Sequence, residues 1–99
     1  MSIFCIGELL IDFLPKNINN EEYLLKKAGG APANVCATIS KLGTNSFFCG
    51  KIGSDPFGNF LESELNKFNV NTYFLKRDSS INTTLAFVTL DNNGEREFS

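Results

Sequence analysis

Residues 28–43 read AGGAPANVCATISKLG, a helix with an unusual mouth. Gly29 and Gly30 precede it, Pro32 and small residues fill its first turns, and Asn34 sits near its N-terminus. Pro32 suits the first turn, where a missing N–H leaves no helical bond unmade, and Gly43 suits the position just past the last turn. Val35, Ile39 and Leu42 form one apolar stripe, widened by Cys36, so the spacing predicts an amphipathic helix. The mouth itself holds no acid, base or nucleophile. Its chemistry is close approach and hydrogen bonding: bare glycines let a ligand reach the backbone, and an amide side chain both donates and accepts.

Working outward, Ile3-Phe4-Cys5-Ile6 is a short apolar run of the kind buried on both faces of a parallel sheet, continuing through Gly7 and Glu8 into Leu9–Phe13. Pro15 with Asn17, Asn19 and Asn20 predicts a turn. Tyr23–Lys27 fits either a strand or a helical turn. Downstream, Asn45–Ile52 (NSFFCGKI) predicts a second buried strand. Asp55 before Pro56 predicts a helix cap with proline at the first helical position. Phe57, Phe60, Leu61, Leu65 and Phe68 then follow at helical spacing, with Asn69 as a left-handed stop. Val70–Leu75 predicts a third strand and Thr84–Leu90 a fourth. Asp91-Asn92-Asn93-Gly94 predicts a hairpin turn into Glu95–Phe98. Strand, helix, strand, helix, strand is the α/β pattern. The late hairpin falls outside it and predicts a small sheet standing apart from the main layer.

Composition narrows the chemistry. The 99 residues suit one domain, with 42% hydrophobic and 20% charged residues. A net charge of -2 and the absence of any basic stripe argue against a nucleic-acid surface. The chain has no histidine, which removes Ser-His-Asp and Cys-His catalysis. Cys5, Cys36 and Cys49 are far apart in sequence, form no CxxC pair and sit in apolar runs, as buried thiols of a reducing compartment do. Ile3–Leu14 is apolar but interrupted by Glu8 and Asp12, with no basic residues before it, so neither a signal peptide nor a membrane span is expected. The expected location is the cytoplasm. Phosphate loops are missing: Gly29-Gly30 is not GxGxxG, and Gly50-Lys51 is followed by Ile52 rather than Ser or Thr.

Asp12 stands between Ile11 and Phe13, where an unpartnered carboxylate is costly. It either faces water in a turn after strand one or accepts hydrogen bonds from a ligand in a pocket. Ligands of open α/β sheets bind beyond the carboxyl ends of strands. On this reading Asp12 marks that end of strand one, and the helix after Gly30 returns to the same edge. Asp12, Gly29, Gly30 and Asn34 together suit a neutral polyhydroxylated molecule, a sugar. Taken alone, Asn34 fits a helix-terminal residue facing solvent better than a ligand.

GGAPANVCATISKLG, followed by GKIGSDPFG, LAFVTL and GEREFS, resembles the N-terminal part of a PfkB-type (ribokinase-family) carbohydrate kinase, most like the fructokinases, from Ile6 to Ser99. The resemblance implies a ribokinase-like three-layer α/β fold with a small β-sheet lid, its strands within 13–28 and 84–99. It implies ATP as phosphoryl donor, Mg²⁺ as its charge partner, and a homodimer formed through the lid. Carried over, Asp12 hydrogen-bonds sugar hydroxyls, Gly29 and Gly30 lie against the sugar, and Asn34 holds another hydroxyl. The Gly-Ala-Gly-Asp-like segment that carries the family's general base has no counterpart in residues 1–99. No catalytic, nucleotide or metal residue is therefore expected here, and the chain reads as a fragment, inactive alone. Alternative substrates within the family are 2-keto-3-deoxygluconate, ribose or a nucleoside. Outside catalysis, the alternatives are a non-catalytic lid or dimerisation module, or a different nucleotide-binding α/β domain.

Overall fold

Gly7 cuts the N-terminal apolar run in two. In the computed structural model, which describes residues 1–90 and 96–98, β1 (Ser2–Ile6) ends there and β2 (Leu10–Ile18) leaves for a different sheet. A Cβ on Gly7 would lie 2.6 Å from Cγ of Pro32, so only glycine lets this corner touch the start of the following helix. The expected single strand through Leu9–Phe13 is thus two strands. The turn is also shorter than expected. β2 runs straight through Pro15 and Asn17, and the reversal is made by Asn19 and Asn20 alone, at φ 52° and 66°. That left-handed pair is what a two-residue hairpin requires. β3 (Glu21–Gly29) then takes up all of Tyr23–Lys27 as strand.

The helix α1 (Ala31–Lys41) carries Pro32 in its first turn and is followed by Gly43 at φ 93°. Its buried face differs from the expected stripe. Ala33 and Cys36 are buried and Ala37 and Ile39 pack beside them, whereas Val35 is 53% exposed and Leu42 80%. Small residues let the helix lie close on the strands below it. There the Ser40 and Ser46 hydroxyls are hydrogen-bonded to each other, and the buried Ser46 hydroxyl donates to the Cys36 carbonyl at 3.1 Å.

β4 (Asn45–Gly53) and α2 (Pro56–Lys67) match the expected elements, with Asn69 left-handed at φ 62°. The third strand does not begin at Val70. Asn71 makes one isolated bridge to Phe47, and its side-chain oxygen then accepts from the Tyr73 N–H at 2.9 Å. That local bond competes with the ladder, and regular pairing starts only at β5 (Leu75–Asp78). β6 (Thr84–Leu90) and β7 (Arg96–Phe98) pair antiparallel; the expected turn Asp91–Gly94 lies outside the described residues.

The strands form two sheets. A parallel sheet has the order β1-β4-β5, and a mixed sheet has the order β3-β2-β6-β7. Pro15 is tolerated in β2 because β6 pairs only with Leu10–Phe13, so no partner on that side asks for its missing N–H. Right-handed crossovers in a sheet that grows in one direction put both helices on the same face. The core lies there, with Phe48, Ile52, Cys36 and Leu61 meeting Ile11 of the second sheet, all at most 1% exposed. The opposite face of the parallel sheet carries a cluster of rings. Phe4 stacks on Phe47 at 4.8 Å, and Phe74 tilts against both at 6.0 and 5.9 Å. Cys5, Cys36 and Cys49 are free thiols; burial, followed by the neighbouring Cys36, pushes the Cys5 thiol up to about 11. No helix among the described residues is long and apolar enough to cross a membrane.

Candidate functional site

The candidate site forms where the second sheet joins α1. β2 and β3 run antiparallel with Leu10 opposite Gly29, Ile11 opposite Ala28 and Asp12 opposite Lys27. Gly29 is buried, and a Cβ on it would collide with the Asp12 carboxylate and lie 3.1 Å from Cδ1 of Leu10. Gly30 holds φ 105°, and a Cβ there would strike the Glu8 carbonyl. Both glycines are therefore required by the protein's own packing, and the carboxylate of Asp12 lies directly over the first of them.

Asp12 does not mark the carboxyl end of strand one. It is the third residue of β2, in the second sheet, with Ala86 of β6 as its other neighbour. Nor is it in a turn facing water: it is half-buried in a strand. Asn34 is one turn into α1. Its N–H donates to the Gly30 carbonyl at 3.0 Å, and its own carbonyl accepts from the Thr38 hydroxyl at 2.9 Å. Asn34 is exposed, as a solvent-facing helix residue is, and borders a cleft of about 230 Å³ together with Lys26, Lys27, Phe60, Glu64 and Phe68. Asp12 stands outside that cleft, so the glycine pair links the two polar residues and no direct contact does. Neither the Asp12 carboxylate nor the Asn34 amide makes a hydrogen bond or ion pair among the described residues.

Asp55 caps α2 as expected, its Oδ1 accepting from the Gly58 N–H at 2.7 Å. It also holds a partner far away in sequence. Thr83 donates its N–H to Oδ2 at 3.0 Å and its hydroxyl to Oδ1 at 2.7 Å. The Thr83 N–H, then the Thr83 hydroxyl, then the Gly58 N–H hold the Asp55 carboxyl below its ordinary value. Sequence reasoning missed Thr83, because nothing local distinguishes a buried threonine before a strand from an exposed one.

The fit of a nucleotide and its metal can be tested on the same residues. Among the described residues no group of three His, Cys, Asp or Glu side chains could hold a metal ion. The mouth of α1 lacks one donor because Pro32 has no N–H. This helix mouth thus offers a phosphate one backbone donor fewer than a start without proline would.

In sequence and fold the chain is similar to known proteins. A family described as pfkB family carbohydrate kinase matches residues 1–99. Fructokinase-2 of Oryza sativa subsp. japonica is 47% identical over 100 residues, covering 97% of this chain and 30% of that protein. The crystal structure of a Xylella fastidiosa fructokinase with bound ATP superposes with a TM-score of 0.89 at 45% identity, over 99% of this chain and 29% of that one. A Vibrio cholerae O395 fructokinase in its fructose-, ADP- and calcium-bound form gives 0.77 at 30% identity, over 98% of this chain and 31% of that one. The chain thus spans less than a third of the length of each.

Proposed function

Because the chain belongs to the pfkB family of carbohydrate kinases, we propose that residues 1–99 form the sugar-binding part of a fructokinase-like, ATP-dependent kinase. The observation that carries this reading is a pair of polar side chains, Asp12 and Asn34, without partners on either side of a glycine pair that has no room for side chains. A carboxylate accepts from sugar hydroxyls, an amide donates and accepts, and the half-buried Gly30 puts no side chain in the way. Gly29 contributes by giving the Asp12 carboxylate its seat.

In this reading the second sheet is a lid over the sugar, and Asp12 and Asn34 orient a hydroxyl without acting on its proton. ATP, which supplies the phosphoryl group, and Mg²⁺ are held by other parts of the polypeptide. The setting is the cytoplasm. The sheet ends in β3, an edge strand whose Tyr23, Leu24 and Leu25 are 49%, 50% and 40% exposed. Such an edge suits pairing with the lid of a second copy.

The test is ATP-dependent phosphorylation by the whole polypeptide across fructose, ribose, 2-keto-3-deoxygluconate and a nucleoside. Turnover is expected to be fastest with fructose. Preference for another of these would redirect the specificity, and turnover with none of them would contradict the reading.

A further inference from the structure

Among the described residues, three stretches join the parallel sheet and its helices to the second sheet: residues 7–9, Gly30, and residues 79–83. The first two contain Gly7 and Gly30, where a Cβ would meet Pro32 and the Glu8 carbonyl. The third is held by side-chain hydrogen bonds as well. Thr83 is 5% exposed, and its N–H and hydroxyl are both hydrogen-bonded. Its N–H and hydroxyl both donate to Asp55, and its Oγ1 accepts from the Gly53 N–H at 3.0 Å.

The corner leaves no slack. A Cβ on Gly53 would lie 2.6 Å from Oδ2 of Asp55, 2.7 Å from the Thr83 nitrogen and 2.8 Å from the Ile81 carbonyl oxygen. A Cβ on Gly58 would collide with the Gly53 carbonyl and lie 3.2 Å from Oγ1 of Thr83. The end of β4, the start of α2 and the root of β6 are thus locked together. One residue later β6 begins to pair with β2: Thr84 with Leu10, Leu85 with Ile11, Ala86 with Asp12. The helix that Asp55 caps also props the same sheet. The Phe57 ring meets Phe13 edge-on at 6.1 Å, and the Lys26 ammonium lies 4.3 Å over the Phe60 ring.

We propose that Asp55 and Thr83 are positioning residues for the sugar site: together they anchor the root of β6 to the core. Through the pairing of β6 with β2, the anchor sets where Asp12 meets the sugar. The last clause rests on the sugar-binding reading of Asp12; the anchoring itself does not.

Two readouts test it on the whole polypeptide. Asn caps helices as well as Asp does, so Asp55→Asn keeps an oxygen for the Gly58 N–H but turns an NH₂ donor toward the Thr83 N–H. Amide exchange followed by mass spectrometry should speed about tenfold in peptides covering 84–90 and 10–14, while 56–67, 2–6 and 45–52 keep their protection. The fructose KM should rise about tenfold, with kcat and the ATP KM within about twofold. Thr83→Val, which leaves the cap intact, should reproduce both effects, and Thr83→Ser should restore both; if Asp55→Asn does not fold, this pair carries the test. Unchanged exchange in 84–90, or exchange rising equally across the core strands and α2, would overturn the anchor. A fall in kcat at constant fructose KM would reduce Asp55 to a structural cap. Should no sugar be turned over at all, the sugar-binding reading fails while the exchange result still judges the anchor.

Discussion

At Gly30 the backbone sits at φ 105° and any Cβ meets the Glu8 carbonyl, whereas at Gly43 the backbone is also left-handed, at φ 93°, but nothing lies within 4 Å. The two glycines therefore separate strain from crowding. Gly43→Ala should cost about 1 kcal/mol for the left-handed conformation alone, and Gly30→Ala about 2–3 kcal/mol, because it adds a displaced junction. Chemical denaturation of both variants checks this; equal losses would mean that the Glu8 carbonyl yields freely. Asp55 offers a pH test. Its folded pKa lies below the ordinary 3.8, so its contribution is fully present above that value and is lost as pH falls through the lower folded one. Wild type should melt several degrees above Asp55→Ala at neutral pH, and the gap should hold to about pH 5 and close below about pH 4. A gap that widened on acidification would contradict the hydrogen bonds from Thr83 and Gly58.

The faces of the two helices make the element-scale prediction. Leu42 is 80% exposed and Leu61 fully buried, so Leu42→Ala should change stability by no more than about 0.5 kcal/mol. Leu61→Ala should cost about 2–5 kcal/mol. Urea melts distinguish them, and a large cost at Leu42 would restore the stripe that the spacing suggests. Both helices were legible in the sequence because their ends carry local chemistry: Pro32 and Gly43 for one, Asp55, Pro56 and Asn69 for the other. The face of α1 was legible only at Cys36 and Ile39. Val35 and Leu42 are larger and more apolar than Ala33 and Ala37, but the strands beneath demand closeness rather than bulk. Strand limits failed where the cause lay elsewhere in the chain. Whether Pro15 ends a strand depends on how far β6 pairs with β2, and whether Asn71 starts one depends on its own side chain. The candidate site was legible as residue types around a glycine pair. Its placement was not, since Asp12 moves from the end of β1 to the first half of β2 once Gly7 breaks the run.

Across the whole molecule the two faces of the parallel sheet contrast. One carries both helices and the core, while the other presents Phe4 and Ile6, 55% and 76% exposed, beside Phe47 and Phe74. Parallel sheets are normally covered on both faces, and a contiguous apolar surface of this kind invites association. Residues 1–99 expressed alone should therefore bind a hydrophobic dye, aggregate at working concentration and phosphorylate no sugar, since they supply orienting groups without a base or an anion hole. A well-packed monomer with turnover would contradict this and would place a catalytic base among Glu8, Asp12 and Asp55. The account depends most on Asp12 and Asn34 as sugar ligands, and calorimetric titration of fructose into the whole polypeptide and its Asp12→Asn and Asn34→Ala variants tests it most directly. The account predicts fructose affinity lowered about 5- to 150-fold in each variant, the loss of about 1–3 kcal/mol expected of a hydrogen-bonding group left unpaired, with ATP affinity unchanged. Fructose binding equal to wild type in both variants would contradict it.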